Sequence, residues 1–274
     1  MTLPPAAVAM RRIAWKHNLA VPGERMLPDE VPIAFTYNRD TYAVMLASPT
    51  DLDDFALGFS LTEGVVRDAR DIEDFEIVAM DAGVELRMSL AADRAEAVVS
   101  RRRRLAGATG CGLCGIESLA EASRRLPMVP TPARFRPQDV AAAMASLPGA
   151  QVLNRTTHAM HAAGFWSPSA GLRALREDVG RHNALDKLAG ALAKSGVDPG
   201  AGILVLSSRV SVELIQKAAM IGIGVLAAIS SPTALAVRQA EVAGITLIGV
   251  ARSDGFEVFS HAGRIEGEAL DDVG

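Results

Sequence analysis

The sequence predicts an α/β protein in which a smaller α+β N-terminal domain precedes a three-layer C-terminal domain with a largely parallel sheet. In the second half, strand-length runs that are apolar throughout alternate with helical segments, which is typical of a sheet covered on both faces. In the first half, strand pairs joined by tight turns flank a single helix. Four prolines between Pro127 and Pro137 separate the halves, so we place the domains at residues 1–130 and 131–274.

The elements of the first half follow from turn signals and periodicity. Residues before 30 show no clear period and predict a strand with a loose arm. Strands are predicted at 31–38 and 41–47, and Ser48-Pro49-Thr50-Asp51 then signals the start of a helix that ends near Gly64. A second strand pair is predicted at 75–79 and 84–90, and a helix begins at about residue 93.

The second half alternates between helices and strands. A helix at residues 137–147 opens it. Two strands, at 160–166 and 173–177, lead to a helix at 182–194. The remaining predicted elements are, in order, a strand at 203–207, a helix at 211–221, a strand at 225–229, a helix at 232–243 and strands at 246–251 and 256–260.

Composition excludes several classes of protein. The chain has 274 residues, is 49% hydrophobic and carries a net charge of −4, so it is not an electrostatic binder of nucleic acid. The N-terminus lacks the charged start and apolar core of a signal peptide. The uncharged stretch between Lys217 and Arg238 is split by Ser230-Ser231-Pro232, which predicts a strand, a turn and a helix instead of a membrane span. We therefore expect a cytoplasmic protein without nucleic-acid or membrane partners.

The only two cysteines, Cys111 and Cys114, lie in a short glycine-rich run, Gly110-Cys111-Gly112-Leu113-Cys114-Gly115. Glycine tolerates backbone conformations that other residues avoid, so the run predicts a loop. The following residues, 116–126, predict a helix, and a helix N-terminus favours thiolate over thiol at Cys114. The pair suits redox or sulfur-transfer chemistry. Two other interpretations are two buried thiols and a zinc site that would borrow His158 and His161.

Polar residues follow the predicted strands of the second half at the ends where α/β proteins bind ligands. Hydroxyls, basic side chains and free helix N-termini are groups that hold phosphates, although any single one is also explained by helix capping. The candidate ligand-binding residues are Asp178, Gly180, Arg181, His182, Asn183, Ser208, Arg209, Ser211, Glu213, Ser231, Thr233, Val250, Ala251, Arg252, Ser253, Asp254 and Gly255, together with His161. A sizeable phosphate-bearing molecule is the expected occupant. No metal ligands are assigned.

The cysteine run and the segment Asp178-Val179-Gly180-Arg181-His182-Asn183 together resemble the formate dehydrogenase accessory sulfurtransferases, or FdhD family. Residues 51–59, 208–213 and 231–236 extend the resemblance over most of the chain. It implies a cytidine deaminase-like fold for the large domain without the zinc site. The family's persulfide cysteine falls on Cys111 and its second cysteine on Cys114, whereas the dipole argument favours Cys114 as the thiolate. The family's cofactor contact falls on residues 250–255.

The resemblance also implies a function. It describes a homodimeric sulfurtransferase that takes persulfide sulfur from a cysteine desulfurase. The sulfur goes to the bis-molybdopterin guanine dinucleotide molybdenum cofactor, held as a client, which formate dehydrogenase needs for activity. A chaperone that escorts the cofactor without transferring sulfur would explain the polar strand ends but not the cysteines. A disulfide oxidoreductase would explain the cysteines but not the strand ends.

Overall fold

The computed structural model of this chain describes residues 2–91, 94, 126–130 and 132–267. Cys111, Cys114 and the segment around them lie outside the described residues. The predicted glycine loop and the helices predicted from residue 93 and over 116–126 therefore stay predictions.

A long antiparallel hairpin opens the chain. Strands β1 (Ala7–Lys16) and β2 (Leu19–Pro28) pair along their whole length and leave most of their side chains exposed. His17 and Asn18 make the turn, both with positive φ, which matches the right-handed twist of the flanking strands. The expectation of one strand and a loose arm is thus corrected. A hairpin exposed on both faces has no apolar–polar alternation from which its second strand could be read.

A four-stranded sheet and one helix form the next unit. The strands are β3 (Val31–Tyr37), β4 (Asp40–Ala47), β5 (Ile72–Met80) and β6 (Gly83–Leu90), in the order β4-β3-β6-β5. Helix α1 (Leu52–Thr62) packs on one face, where the Phe35 ring lies 4.0 Å from Phe59 and 4.9 Å from Phe55 between centroids. Both strand pairs and the helix agree with the sequence prediction.

The second half builds a six-stranded sheet between helices. The strands are β7 (His161–Ser167), β8 (Gly171–Asp178), β9 (Ile203–Leu206), β10 (Val225–Ala228), β11 (Thr246–Arg252) and β12 (Gly255–Ser260). The helices are α2 (Pro137–Ala145), α3 (Leu147–Ala150), α4 (Val152–Thr157), α5 (Arg181–Ser195), α6 (Val212–Met220) and α7 (Ala234–Ala243). The strand order is β12-β11-β10-β9-β7-β8.

The six-stranded sheet lies between two layers of helices, which gives the three layers that the sequence predicts. Its strands, however, are a mixture of parallel and antiparallel. Leu185 and Leu214, from α5 and α6, pack with Leu204 against one face, while Val140 of α2 and Val205 lie in a separate apolar cluster on the other. Only β9, β10 and β11 are mutually parallel, whereas β7 pairs antiparallel with both β8 and β9, and β12 pairs antiparallel with β11. The prediction of a largely parallel sheet is therefore corrected. Short turns join β7 to β8 and β11 to β12, and such turns allow only antiparallel pairing.

Within the part of the chain that the structure describes, no helix combines the length and the apolar character needed to cross a bilayer.

Candidate functional site

The predicted ligand-binding residues converge on one edge of the six-stranded sheet. The carboxyl ends of β9, β10 and β11 share this edge because the three strands are parallel. Strand β7 runs the other way, so its first residue, His161, lies at the same edge and pairs with Asp178 at the end of β8. We call the edge formed by these strand ends and the loops after them the polar edge.

Backbone contacts fix the loops of the polar edge to one another. Val210 forms a parallel bridge with Pro232, and the Thr233 amide donates to the Val210 carbonyl at 2.9 Å. The Val250 amide donates to the Ser230 carbonyl at 3.3 Å, while Val250 itself adopts a φ of 50°. That conformation is strained for a β-branched residue, and such strain concentrates at functional sites.

Asp178 organises the turn that leads into α5. Its buried carboxylate accepts from the amides of Ser48 and Gly180 at 3.0 and 2.8 Å and from Asn183 Nδ2 at 2.9 Å. Lys187 Nζ, fully buried, lies 2.7 Å from the same carboxylate. These contacts occupy the oxygens of Asp178, and Asn183 Nδ2 also donates to the Leu46 carbonyl. Asp178 and Asn183, both predicted as ligand contacts, therefore hold the turn in place.

His182 lies where the N-termini of α5 and α6 meet. Its Nε2 is 3.4 Å from Ser211 Oγ and 4.0 Å from Glu213 Oε2. Burial lowers the pKa of His182 to about 4, and the charges of Arg181 and Lys217 act in the same direction. The imidazole is consequently neutral at physiological pH. It can donate or accept a hydrogen bond toward a ligand without adding charge.

The low pKa of His182 predicts a pH-dependent contribution to stability. The unfolded chain takes up this proton near pH 6.5 and the folded chain only near pH 4. The stabilisation is therefore complete above pH 6.5 and is lost as the pH falls toward 4. We expect His182→Gln to make the urea midpoint fall less between pH 7 and pH 4.5 than it does in the wild type. The exposed His158→Gln should keep the wild-type profile; an unchanged profile in His182→Gln would contradict the assignment.

The other predicted residues divide into capping groups and exposed groups. Ser208 Oγ donates to the Arg209 carbonyl, and Thr233 caps α7 by accepting from the Ala236 amide at 3.2 Å. Ala251 is buried, and Gly255 begins β12. The half-buried Arg181 has a buried Nε without a hydrogen-bond partner in the described structure. Thr233 is also exposed, as are Arg209, Ser231, Arg252, Ser253 and Asp254.

Sequence reasoning missed a buried ionic network between α1 and the six-stranded sheet unit. Lys217 Nζ lies 2.7 Å from Glu63 and 2.9 Å from Asp186, and Asp186 also accepts from Thr62 at 2.6 Å. Nearby, the buried Asp54 pairs with Arg176 and Lys194, each at 2.6 Å. Opposite charge raises the pKa of Lys217 despite its burial. These ion pairs join α1 to α5 and α6.

Among the described residues, no three His, Cys, Asp or Glu side chains cluster as metal ligands. His158 ends α4 with its side chain exposed. The zinc hypothesis also requires Cys111 and Cys114, which lie outside the described residues.

A six-stranded sheet between two layers of helices, with loops and helix N-termini gathered at its strand ends, defines a three-layer α/β protein. The model of the FdhD/NarQ family matches residues 28–266, and the chain belongs to this family.

Similar proteins extend the match over most of the chain. The sulfur carrier protein FdhD of Agrobacterium fabrum is 49% identical over 255 residues, 93% of this chain and 94% of that protein. The sulfur carrier protein FdhD of Brucella abortus is 52% identical over 242 residues, 88% and 90% of the two chains. A crystal structure of a formate dehydrogenase accessory protein from Desulfotalea psychrophila superposes with a TM-score of 0.75 and 20% identity, covering 96% of this chain and all of that one. That structure shows the shared fold.

Proposed function

We propose that this chain is a sulfur carrier in the maturation of formate dehydrogenase. The observation that carries the proposal is its close similarity, over about nine-tenths of its length, to proteins named sulfur carrier protein FdhD. The two cysteines of the glycine-rich run supply the chemistry that such a role requires. Formate dehydrogenase and a cysteine desulfurase are the proposed protein partners, in the cytoplasm, and the carrier acts as a homodimer.

In the proposed loading step, the thiolate of Cys111 attacks the outer sulfur of the desulfurase persulfide. A new S–S bond forms at Cys111 while the S–S bond of the desulfurase breaks, and the desulfurase cysteine leaves as its thiolate. The step is an exchange, so it needs no external oxidant or reductant. Cys114 is the second thiol of the site, and a helix N-terminus after it would favour its thiolate.

The proposed recipient is the bis-molybdopterin guanine dinucleotide molybdenum cofactor, which the protein binds as its substrate. The geometry of the polar edge supports this choice. Arg181, Arg209 and Arg252 supply positive charge there, and Ser211 and Ser231 supply hydroxyls. Neutral His182 adds a hydrogen-bonding group beside Ser211. The dinucleotide presents a negatively charged diphosphate and a heterocycle, and these cationic and hydroxyl groups can bind both.

Cys111→Ala is expected to abolish activation of formate dehydrogenase, because alanine cannot carry a persulfide. The variant should be expressed in a strain that lacks its own copy of the carrier, with formate dehydrogenase activity measured in the extract. Ser89→Ala, on the exposed side of β6, is the matched control and should restore full activity. Wild-type activity with Cys111→Ala would contradict the proposed role.

Cofactor binding should survive the same substitution, since the polar edge is built from other residues. GDP serves as a probe for the guanine nucleotide end, with binding followed by calorimetry on wild type, Cys111→Ala and Arg181→Gln. Equal binding by wild type and Cys111→Ala, with weaker binding by Arg181→Gln, is expected. Unchanged GDP binding in Arg181→Gln would remove that residue from the site.

A further inference from the structure

The β1–β2 hairpin is the most exposed apolar element in the described structure. Ile13 is 65% exposed, Trp15 74% and Leu19 69%. Ten residues per strand make the hairpin about 33 Å long at the usual rise of a strand. We call this hairpin, Ala7–Pro28, the arm.

The arm carries apolar side chains on both faces. Ile13 and Trp15 share one face, while Met10 lies on the other with Leu19, whose register partner is Lys16. An isolated two-stranded hairpin is marginally stable in water, and stable hairpins pack a hydrophobic face against another element. Large exposed apolar patches mark interaction sites. Strand β2 contacts helix α4 of the same chain, but Ile13, Trp15 and Leu19 near the turn stay exposed. Both faces of the arm near its turn therefore need a partner surface, and a partner that receives an inserted arm meets this need better than a flat one.

Charge indicates what that partner surface is like. The arm contains Arg11, Arg12, Lys16 and Arg25 against the single acid Glu24, a net charge of +3. Because the whole chain carries −4, its remainder carries −7. Two arms would repel each other, whereas an arm and the remainder of a second copy attract. An acidic surface is present on the outer strand β5, where Glu73, Asp74 and Glu76 are exposed.

We propose that the arm mediates dimerisation by reciprocal exchange between two copies of this chain. Each arm packs on the second copy, with its basic side chains toward β5. A second copy is available from synthesis onward and can cover the arm permanently, whereas a client enzyme or sulfur donor binds and leaves. The exchange is reciprocal, so the contact obeys two-fold symmetry. The inference rests on the homodimer proposed above and is independent of sulfur transfer.

The first test compares masses in solution. Sedimentation equilibrium of the wild type should give twice the chain mass of 28.8 kDa. Ile13→Ser/Trp15→Ser removes two apolar anchors and should weaken dimerisation about a hundredfold or more. Val242→Ser, which alters an equally exposed residue on α7, is the matched control and should remain dimeric. The altered residues precede residue 28, where the match to the FdhD/NarQ model begins, and far-ultraviolet circular dichroism checks that the variants fold.

The second test locates the acceptor surface. Arg12→Glu/Arg25→Glu and Glu73→Lys/Glu76→Lys should each weaken the dimer, and mixing the two proteins should restore association between unlike chains. A monomeric wild type would overturn both the homodimer and the arm. A wild-type-like dimer in Ile13→Ser/Trp15→Ser would overturn the arm alone, and failure of the charge-reversed pair to associate would overturn the placement on β5. None of these results depends on sulfur transfer.

Discussion

Replacing Gly58 with alanine is expected to leave little folded protein. Gly58 in α1 faces α5 so closely that an added Cβ would lie 1.7 Å from the Asp186 carbonyl oxygen. On the facing helix, a Cβ at Gly190 would lie 2.0 Å from the Asp54 carbonyl oxygen. Both obstacles are backbone, so relief requires the helices to separate. We expect a loss of about 4 kcal/mol or more in the free energy of unfolding.

Gly149→Ala is the matched control for this prediction. Gly149 also lies in a helix, and an added Cβ there would meet no atom within 4 Å. Alanine should be neutral or stabilising at this site by up to about 1 kcal/mol, because it restricts the unfolded chain. Urea unfolding of the two variants measures the difference directly. Wild-type stability for Gly58→Ala would show that α1 and α5 are not in this close contact.

Lys187→Met is expected to cost about 3–5 kcal/mol in the free energy of unfolding, because it leaves the buried Asp178 carboxylate without its counter-charge. Lys187 and Asp178 are both fully buried and lie 2.7 Å apart. Lys187 also donates to the Ser48 carbonyl at 2.8 Å, which joins α5 to the segment before α1.

A double-mutant cycle separates the ion pair from simple packing. Asp178→Asn removes the charge but keeps an oxygen for the Gly180 amide, so Lys187→Met/Asp178→Asn should lose clearly less stability than the sum of the single losses. Arg70→Met breaks a pair whose arginine is 89% exposed, and it should leave the urea midpoint unchanged. Strict additivity in the Asp178–Lys187 cycle would contradict the proposed pairing.

Local patterns predicted most elements because each has a signal confined to a few residues. The apolar run that forms β9 and the proline at the start of α2 needed no knowledge of the rest of the chain. Strand direction was harder to predict from local sequence, because the antiparallel pairing of β7 with β9 depends on how the whole sheet is assembled. The second strand of the arm was not predicted for a related reason. The arm does not bury one face against a core, so its residues show no apolar–polar alternation.

The polar edge was predicted from strand ends, and the structure brings its residues together. The structure also distinguishes residues that hold the loops in place, such as Asp178, from residues whose side chains are exposed. Asp178 resembled a ligand contact in the sequence, yet its partners Ser48 and Lys187 lie 130 and 9 positions away along the chain. Lys217 has no partner that the sequence indicates, whereas in the structure it pairs with Glu63 and Asp186. Long-range ion pairs of this kind leave no spacing signal in the sequence.

The most direct test of the proposed function is mass spectrometry of the intact protein after incubation with a cysteine desulfurase and cysteine. The account predicts that the wild type gains a sulfur atom that a thiol reductant removes, and that Cys111→Ala does not gain it. Loss of the adduct only in Cys114→Ala would keep the carrier function and exchange the roles of the two cysteines. A wild-type protein that gains no sulfur from an active desulfurase would contradict the account.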